Sequence, residues 1–293
     1  MRRLINMRDL EQFLRVGIIQ THISIISSWR ENGKICQNMN QEAQNMALEE
    51  IRRGFKEFSA LGEKKPRIIL LPEYSIPHFA ISLVEKMVKE LDAVLIGGCD
   101  LFVKDGKASN KGVIIIPNQW PSSERAYKSI KIYFGKQFFS TVEEEWFNDL
   151  KLMPSPDETH FIIDAGPYGN VGVAICADFY DIERFAIYKG RIHHLIIIAY
   201  NKDTRSFSFL TEAISRLLMC NVVICNSGHY GDSLAYSPYT KEYKRIIFKH
   251  SGANLFSAQV VELPVASLDS EQMKMPNKEE SIFKHAPGYV KKS

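Results

Sequence analysis

The sequence predicts an α/β fold in which helices cover a sheet of mixed strand direction. Short apolar runs that end at turn residues alternate with segments of helical spacing along most of the 293 residues. In the middle of the chain, residues 161–164 and 171–176 are two apolar runs joined by a Gly-Pro-Tyr-Gly turn, which predicts a hairpin. A hairpin is incompatible with a purely parallel sheet, so we expect one mixed sheet or two stacked sheets.

The first half of the chain alternates predicted strands and helices. Strands are predicted at 15–21, 67–71, 93–98, 112–117 and 125–134, and helices at 40–59 and 79–91. The first four strands are runs rich in Ile, Leu and Val, which is typical of strands buried on both faces. The last one alternates polar and apolar residues, as a half-exposed strand does.

The second half continues this pattern and then becomes polar. Strands are predicted at 161–164, 171–176, 194–199 and 222–226, with further candidates between 234 and 263, and helices at 182–189 and 211–220. No low-complexity linker divides the chain, which favours one domain. We expect an N-terminal extension at 1–14, the domain at 15–265 and a polar, lysine-rich tail at 266–293.

Composition gives no reason to expect a nucleic-acid or membrane partner. The chain is 45% hydrophobic and 24% charged, with a formal net charge of +3. It contains no apolar run near the roughly 20 residues that cross a bilayer, and its start lacks the apolar core of a signal peptide. The five cysteines are an odd number, and most lie in apolar runs, which fits a reducing compartment. We therefore expect a cytoplasmic protein.

Three polar residues lie at the ends of predicted strands, where a buried strand holds a side chain rigidly. Glu73 follows the second strand after one proline, Lys131 lies near the end of the 125–134 strand, and Cys176 ends the 171–176 strand. A lysine ammonium lowers the pKa of a nearby thiol and stabilises an oxyanion, and a carboxylate accepts and returns a proton. These three residue types together indicate thiol-based nucleophilic catalysis.

Four segments carry a resemblance to a known family. They are Leu70-Leu-Pro-Glu-Tyr74, Tyr127-Lys-Ser-Ile-Lys-Ile132, Gly172-Val-Ala-Ile-Cys-Ala-Asp178 and Gly231-Asp-Ser-Leu-Ala-Tyr-Ser-Pro238. In their order and separation they resemble the motifs of the nitrilase, or carbon–nitrogen hydrolase, superfamily over residues 15–264. The Pro-Glu and Gly-Val-x-Ile-Cys-x-Asp elements are fairly specific, whereas the lysine element is not.

The resemblance implies a fold, a reaction class and partners. The family fold is a four-layer α-β-β-α sandwich with two mixed sheets, and its members commonly form dimers through their helical faces. The implied reaction is hydrolysis of a non-peptide carbon–nitrogen bond in a small amide, N-carbamoyl compound or nitrile. No cofactor and no metal are implied.

The family's residue roles transfer to matching positions. Glu73 would be the general base, and Cys176 the nucleophile that forms a thioester or thioimidate. Lys131, together with the backbone N–H of Ala177, would stabilise the tetrahedral intermediate. A second glutamate usually supports the lysine, and Glu143, Glu144 and Glu145 all lie in the expected segment, with Glu144 favoured.

Two departures from the family pattern leave the function and the lysine open. The segment after Cys176 is altered, which also allows a nitrilase-like interaction or regulatory subunit of a larger complex, such as a bacterial defence system. The lysine motif has Ser129 where the usual register places lysine, so Lys128 competes with Lys131. Strand parity favours Lys131, because it shares a face with Tyr127 and Ser129.

Overall fold

A computed structural model describes residues 10–121, 126–273 and 281–290. The strands are β1 Phe13–Gln20, β2 Arg30–Glu31, β3 Lys34–Ile35, β4 Ile68–Ile76, β5 Val94–Cys99, β6 Phe102–Lys104, β7 Lys107–Ser109, β8 Lys111–Pro117, β9 Ser129–Gly135, β10 Met153–Pro154, β11 Ile162–Asp164, β12 Asn170–Ile175, β13 His194–Ala199, β14 Asn221–Asn226, β15 Ser233–Tyr236, β16 Ile246–His250 and β17 Ser257–Pro264. The helices are α1 Ile25–Ser28, α2 Gln41–Ser59, α3 Ile81–Leu91, α4 Thr141–Asp149, α5 Ile182–Tyr188, α6 Thr204–Leu218 and α7 Ala266–Met273.

Two six-stranded mixed sheets form the centre of the described part of the chain. The first has the order β17-β1-β4-β5-β8-β9 and the second the order β11-β12-β13-β14-β15-β16. The inner strands β1, β4 and β5 run parallel, as do β12, β13 and β14, and the flanking strands are antiparallel. The antiparallel pair β11 and β12 confirms the predicted hairpin.

The sheets stack face to face, and helices cover their outer faces. Strands β13 and β14 pack on β4, while α2 and α3 contact the first sheet and α6 contacts the second. The alternation along β4 shows why its sequence is continuously apolar: Leu70 faces the core between the sheets, and Ile69 and Leu71 face the helices. The result is the four-layer α-β-β-α sandwich that the resemblance implies.

Several predicted boundaries differ from the structure, among them the end of β4 at Ile76 and the start of α6 at Thr204. Strand β1 begins at Phe13, and β9 begins at Ser129 rather than at residue 125, which lies outside the described residues.

The C-terminal segment is not a free polar tail where it is described. Leu268 of α7 is fully buried, and Phe283 is buried against Tyr239, because these side chains cover apolar surface beside Met219. In the described ranges, no helix combines the length and apolarity needed to cross a membrane.

Candidate active site

Cys176 lies at a sharp turn at the end of β12. Its backbone has a φ of 46°, in the left-handed region that non-glycine residues adopt rarely and that clusters at functional sites. A 3-10 helix, Cys176–Tyr180, begins at this residue. The side chain is 7% exposed, and its Sγ lies 3.9 Å from the carbonyl oxygen of Tyr200, which follows β13.

Glu73 enters the site through a bulge in β4. Pairing with β5 is regular up to Leu71 opposite Gly97 and resumes at Ile76 opposite Cys99, so four residues of β4 face a single residue, Gly98. A Cβ at position 98 would lie 2.4 Å from the Cα of Glu73. This is too close for any side chain, so only glycine fits beside the bulge. The carboxylate is buried, and its Oε2 accepts a hydrogen bond of 2.8 Å from the backbone N–H of Tyr200.

Lys136 connects two carboxylates. It comes directly after β9 and is 1% exposed. Its Nζ donates to Glu73 Oε1 at 2.8 Å and to Glu143 Oε2 at 2.6 Å. Asn110 supports the same arrangement, because its Nδ2 donates to Glu73 Oε1 at 2.6 Å and to Glu143 Oε1 at 2.7 Å. The two buried carboxylates are therefore both hydrogen-bonded to one cation and one amide, as buried charges require.

Glu143 is held by the start of α4. It is the third residue of the helix and forms a capping box with Ser140: the Ser140 backbone N–H and hydroxyl each donate to Glu143 Oε2 at 2.8 Å. Its Oε1 accepts a further bond of 2.7 Å from the hydroxyl of Tyr74. These contacts use the carboxylate oxygens fully, so Glu143 is fixed in orientation and ionised.

Asp178 ties the cysteine turn to the lysine loop. Its carboxylate accepts from the backbone N–H groups of Gln137 at 3.0 Å and Phe138 at 2.9 Å. Arg184 neutralises it, with Nη2 at 3.3 Å from Asp178 Oδ2. Asp178, two residues after Cys176, therefore holds the backbone that follows Lys136.

The pKa values of the two glutamates shift in opposite directions, upward for Glu73 and downward for Glu143. Burial raises the pKa of Glu73, and the charge of Glu143 adds to this, while Lys136 opposes it. Burial also pushes the pKa of Glu143 upward, but Lys136 and the donated hydrogen bonds outweigh it and lower the pKa. Burial, then the charge of Glu73, raise the pKa of the Cys176 thiol well above its ordinary value, so the resting group is a neutral thiol.

The pKa of Lys136 is well above its ordinary value, because the charges of Glu143 and Glu73 outweigh its burial. It therefore stays an ammonium at neutral pH. The site at rest combines a neutral thiol, a fixed cation and a carboxylate that binds a proton more readily than an ordinary glutamate does.

A cavity of about 370 Å³ opens onto the cluster. Glu73, Lys136, Glu143, Cys176 and Ala177 line its inner end. Aromatic side chains form much of the remaining wall, among them Trp146, Tyr180, Tyr200, Phe207 and Tyr230. A cavity with apolar walls and a few convergent polar groups is typical of a small-molecule site.

The structure brings together some of the residues predicted from the sequence and not others. Glu73, Cys176 and Ala177 share the cavity. Lys131 lies elsewhere: its Nζ donates to Glu85 of α3 at 2.7 Å, on the outer face of the first sheet. Strand alternation places Lys131 on the same face of β9 as Ser129, and both side chains contact Glu85. This face, however, points toward α3 and away from the cavity.

Lys128 and Glu144 also lie outside the cluster. Lys128 is exposed and does not line the cavity, and the lysine that contacts Glu73 and Glu143 is Lys136, which was not predicted. Glu144 is exposed, whereas Glu143 lies in the cluster, because only the third helical position points back to the helix N-terminus.

Two local signals in the sequence identify the missed residues Lys136 and Glu143. Lys136 follows an apolar strand end, as Cys176 does, but the predicted strand stops at Phe134. The Ser-x-x-Glu spacing of Ser140 and Glu143 is a capping-box pattern, which selects the first of three adjacent glutamates. No group of three or more His, Cys, Asp or Glu side chains has the arrangement of a metal site within the described ranges.

Comparisons with known proteins support the architecture. No protein-family model matches the chain, and no curated protein matches it. Among solved structures, Saccharomyces cerevisiae Nit3, a member of branch 10 of the nitrilase superfamily, is 16% identical with a TM-score of 0.65, and the match covers 94% of this chain and 99% of that one.

Two further structures are similar. A carbon–nitrogen hydrolase from Helicobacter pylori is 12% identical with a TM-score of 0.62, covering 88% of this chain and 91% of that one. A variant of an amidase from a Nesterenkonia species is 12% identical with a TM-score of 0.62, covering 86% and 90%, and shows covalent addition of the acetamide moiety of fluoroacetamide at its active-site cysteine. The chain therefore has the fold of the nitrilase, or carbon–nitrogen hydrolase, superfamily.

Proposed function

We propose that this protein hydrolyses a carbon–nitrogen bond of a small amide, N-carbamoyl compound or nitrile, with Cys176 as nucleophile. The observation that carries the proposal is the buried ion-pair cluster of Glu73, Lys136 and Glu143 in the same cavity as Cys176. Burying three charges costs several kcal/mol before their mutual attraction is counted, and an interaction module has no need of them. The cluster therefore favours an enzyme over a non-catalytic subunit.

The acylation half of the reaction begins with a proton transfer. Glu73 takes the thiol proton as Cys176 Sγ attacks the amide carbon, and the C=O electrons move to oxygen. The Lys136 ammonium and the backbone N–H of Ala177 stabilise this oxyanion. When the intermediate collapses, the C–N bond breaks, the amine leaves with the proton from Glu73, and a thioester remains on Cys176.

Hydrolysis of the thioester reverses these roles. Glu73 removes a proton from water, and the hydroxyl oxygen attacks the thioester carbon. The second oxyanion collapses with cleavage of the C–S bond, and Glu73 returns the proton to the sulfur. The raised pKa of Glu73 suits a group that must gain and lose one proton in each half of the turnover.

Glu143 acts as a positioning residue in this mechanism. Its oxygens are occupied by Lys136, Asn110, Tyr74 and Ser140, and its lowered pKa keeps it ionised. Lys136 therefore stays an ammonium throughout the cycle and acts as a fixed charge. Self-association through the helical faces and a cytoplasmic location stay predictions.

The test is a screen of primary amides, N-carbamoyl amines and nitriles for ammonia release, with intact-protein mass after acid quench. We expect turnover of at least one class, an acyl adduct on Cys176, and a loss of about 10³-fold or more in Cys176→Ala. Cys36→Ala is the matched control, because Cys36 does not line the cavity, and it should retain full activity. Turnover that survives Cys176→Ala, or no turnover of any class, would contradict the proposal.

A further inference from the structure

The outer part of the cavity is built differently from its catalytic end. Two edge-to-face aromatic pairs form portions of the wall. The ring centroids of Tyr200 and Tyr230 are 5.0 Å apart, and those of Tyr180 and Phe207 are 5.7 Å apart. Tyr200 also supplies the backbone groups next to Cys176 and Glu73. A substrate bound with its carbonyl carbon at Cys176 therefore has its remaining atoms beside aromatic rings, which favour a planar or apolar body.

Lys202 adds a charge to this wall. It lies in the loop between β13 and α6, is exposed, and lines the same cavity. It forms no ion pair with any residue in the ranges that the structure describes. The neighbouring Asp203 caps α6, because its Oδ1 accepts from the Ser206 backbone N–H at 3.1 Å, and it forms no ion pair with Lys202.

The charges of the cavity are unequally satisfied. Lys136 is held between Glu73 and Glu143, so it offers no free attraction to a remote part of a substrate. Lys202 can attract a remote part of a substrate, because it lines the cavity and forms no ion pair with any described residue. One ammonium with aromatic neighbours suits a carboxylate, whereas a phosphate is usually bound by several donors.

We infer that the substrate is an amide or related compound whose acyl part carries a planar or apolar body and a carboxylate, which pairs with Lys202. This inference rests on the proposed function, since it places the scissile carbon at Cys176. Lys202 contacts substrate and not the reacting atoms, so it is a specificity residue. The pair is open to solvent, so it contributes a several-fold preference that salt screens, and not an absolute requirement.

The experiment uses two alkylating probes that differ by one carboxylate. They are iodoacetanilide and 4-(iodoacetamido)benzoate, and each reacts by attack of Cys176 Sγ on the CH₂ carbon with loss of iodide. The ratio of the two second-order labelling rates at Cys176, measured by mass spectrometry, reports attraction of the carboxylate without requiring turnover. We expect Lys202→Gln to lower the anionic-to-neutral ratio about fivefold, and Lys202→Glu to lower it further.

Lys241→Gln is the matched control, because Lys241 is exposed and does not line the cavity, and it should leave the ratio unchanged. Raising the salt from about 0.02 M to about 0.5 M should reduce the wild-type ratio toward that of Lys202→Gln. An unchanged ratio in Lys202→Gln overturns the inference while leaving the proposed function in place. Failure of Cys176 to react selectively with either probe overturns both.

Discussion

Lys136 is the residue on which the charge balance of the site depends. Its ammonium is within 2.8 Å of Glu73 and 2.6 Å of Glu143, and all three side chains are nearly inaccessible to water. Without the cation, two carboxylates would be buried side by side, and one of them would have to bind a proton. Lys131, by contrast, forms a partly exposed ion pair with Glu85 on the outer face of the sheet.

These two lysines therefore give a direct comparison. We expect Lys136→Met to lower the free energy of unfolding by about 3–5 kcal/mol, because it leaves buried charges without a partner. Lys131→Met should lower it by less than about 1 kcal/mol, as for other surface ion pairs. Urea denaturation followed by circular dichroism measures both. Equal effects of the two substitutions would refute the assignment of Lys136 as the buried cation.

At the scale of the element, the bulge in β4 sets the position of Glu73, the proposed general base. Four residues of β4 face Gly98 alone, and the missing side chain at Gly98 lets the bulge approach β5. The adjacent Gly97 faces side chains instead: a Cβ there would lie 3.0 Å from Ile76 Cδ1 and 3.0 Å from Leu71 Cβ. Gly98 therefore constrains the position of Glu73, whereas Gly97 constrains only the packing of neighbouring side chains.

We expect Gly98→Ala to displace Glu73 and to reduce amide turnover and Cys176 alkylation by at least about 100-fold, because a shift of about 1 Å at a catalytic group has effects of this size. Gly97→Ala should cost about 1–3 kcal/mol of stability through overpacking but retain most of the reactivity. Alkylation rates measured on folded protein, with thermal unfolding in parallel, distinguish the two. Normal reactivity in a folded Gly98→Ala variant would exclude this role for the bulge.

At the scale of the whole molecule, the site forms only where the two sheets meet. Glu73 and Lys136 come from the first sheet, and Cys176 and the Tyr200 backbone from the ends of β12 and β13 in the second. The parallel inner strands of both sheets end at this edge, which explains why Glu73 and Cys176, each following an apolar run in the sequence, lie in the same cavity. Asp178 then joins the loops across the sheets.

The remaining features could not be predicted from the sequence, for physical reasons. Periodicity shows which residues share a face of β9 but not which layer that face contacts, so it assigns Lys131 to the wrong side of the sheet. The length of β9 depends on its pairing with β8, which extends to Gly135 opposite Lys111 and brings Lys136 into the site. The buried contacts of Leu268 and Phe283 depend on surface from distant segments, which a polar composition does not reveal.

The measurement that tests the central claim most directly is the rate of Cys176 alkylation by iodoacetamide as a function of pH. Protonated Glu73 cannot accept the thiol proton, so the rate should rise as pH passes the raised pKa of Glu73 and then level off. This rise should lie well below the pKa of the buried thiol itself. In Glu73→Gln the plateau should disappear, and Cys176 should react slowly until strongly alkaline pH.

Lys131→Met should reproduce the wild-type profile, while Lys136→Met, measured on folded protein, should not. Cys36 serves as the internal comparison within each sample, because it lies outside the cavity. A Cys176 that reacts no faster than Cys36 at neutral pH, with a profile unchanged by Glu73→Gln, would contradict the account of a thiol activated by Glu73 and Lys136.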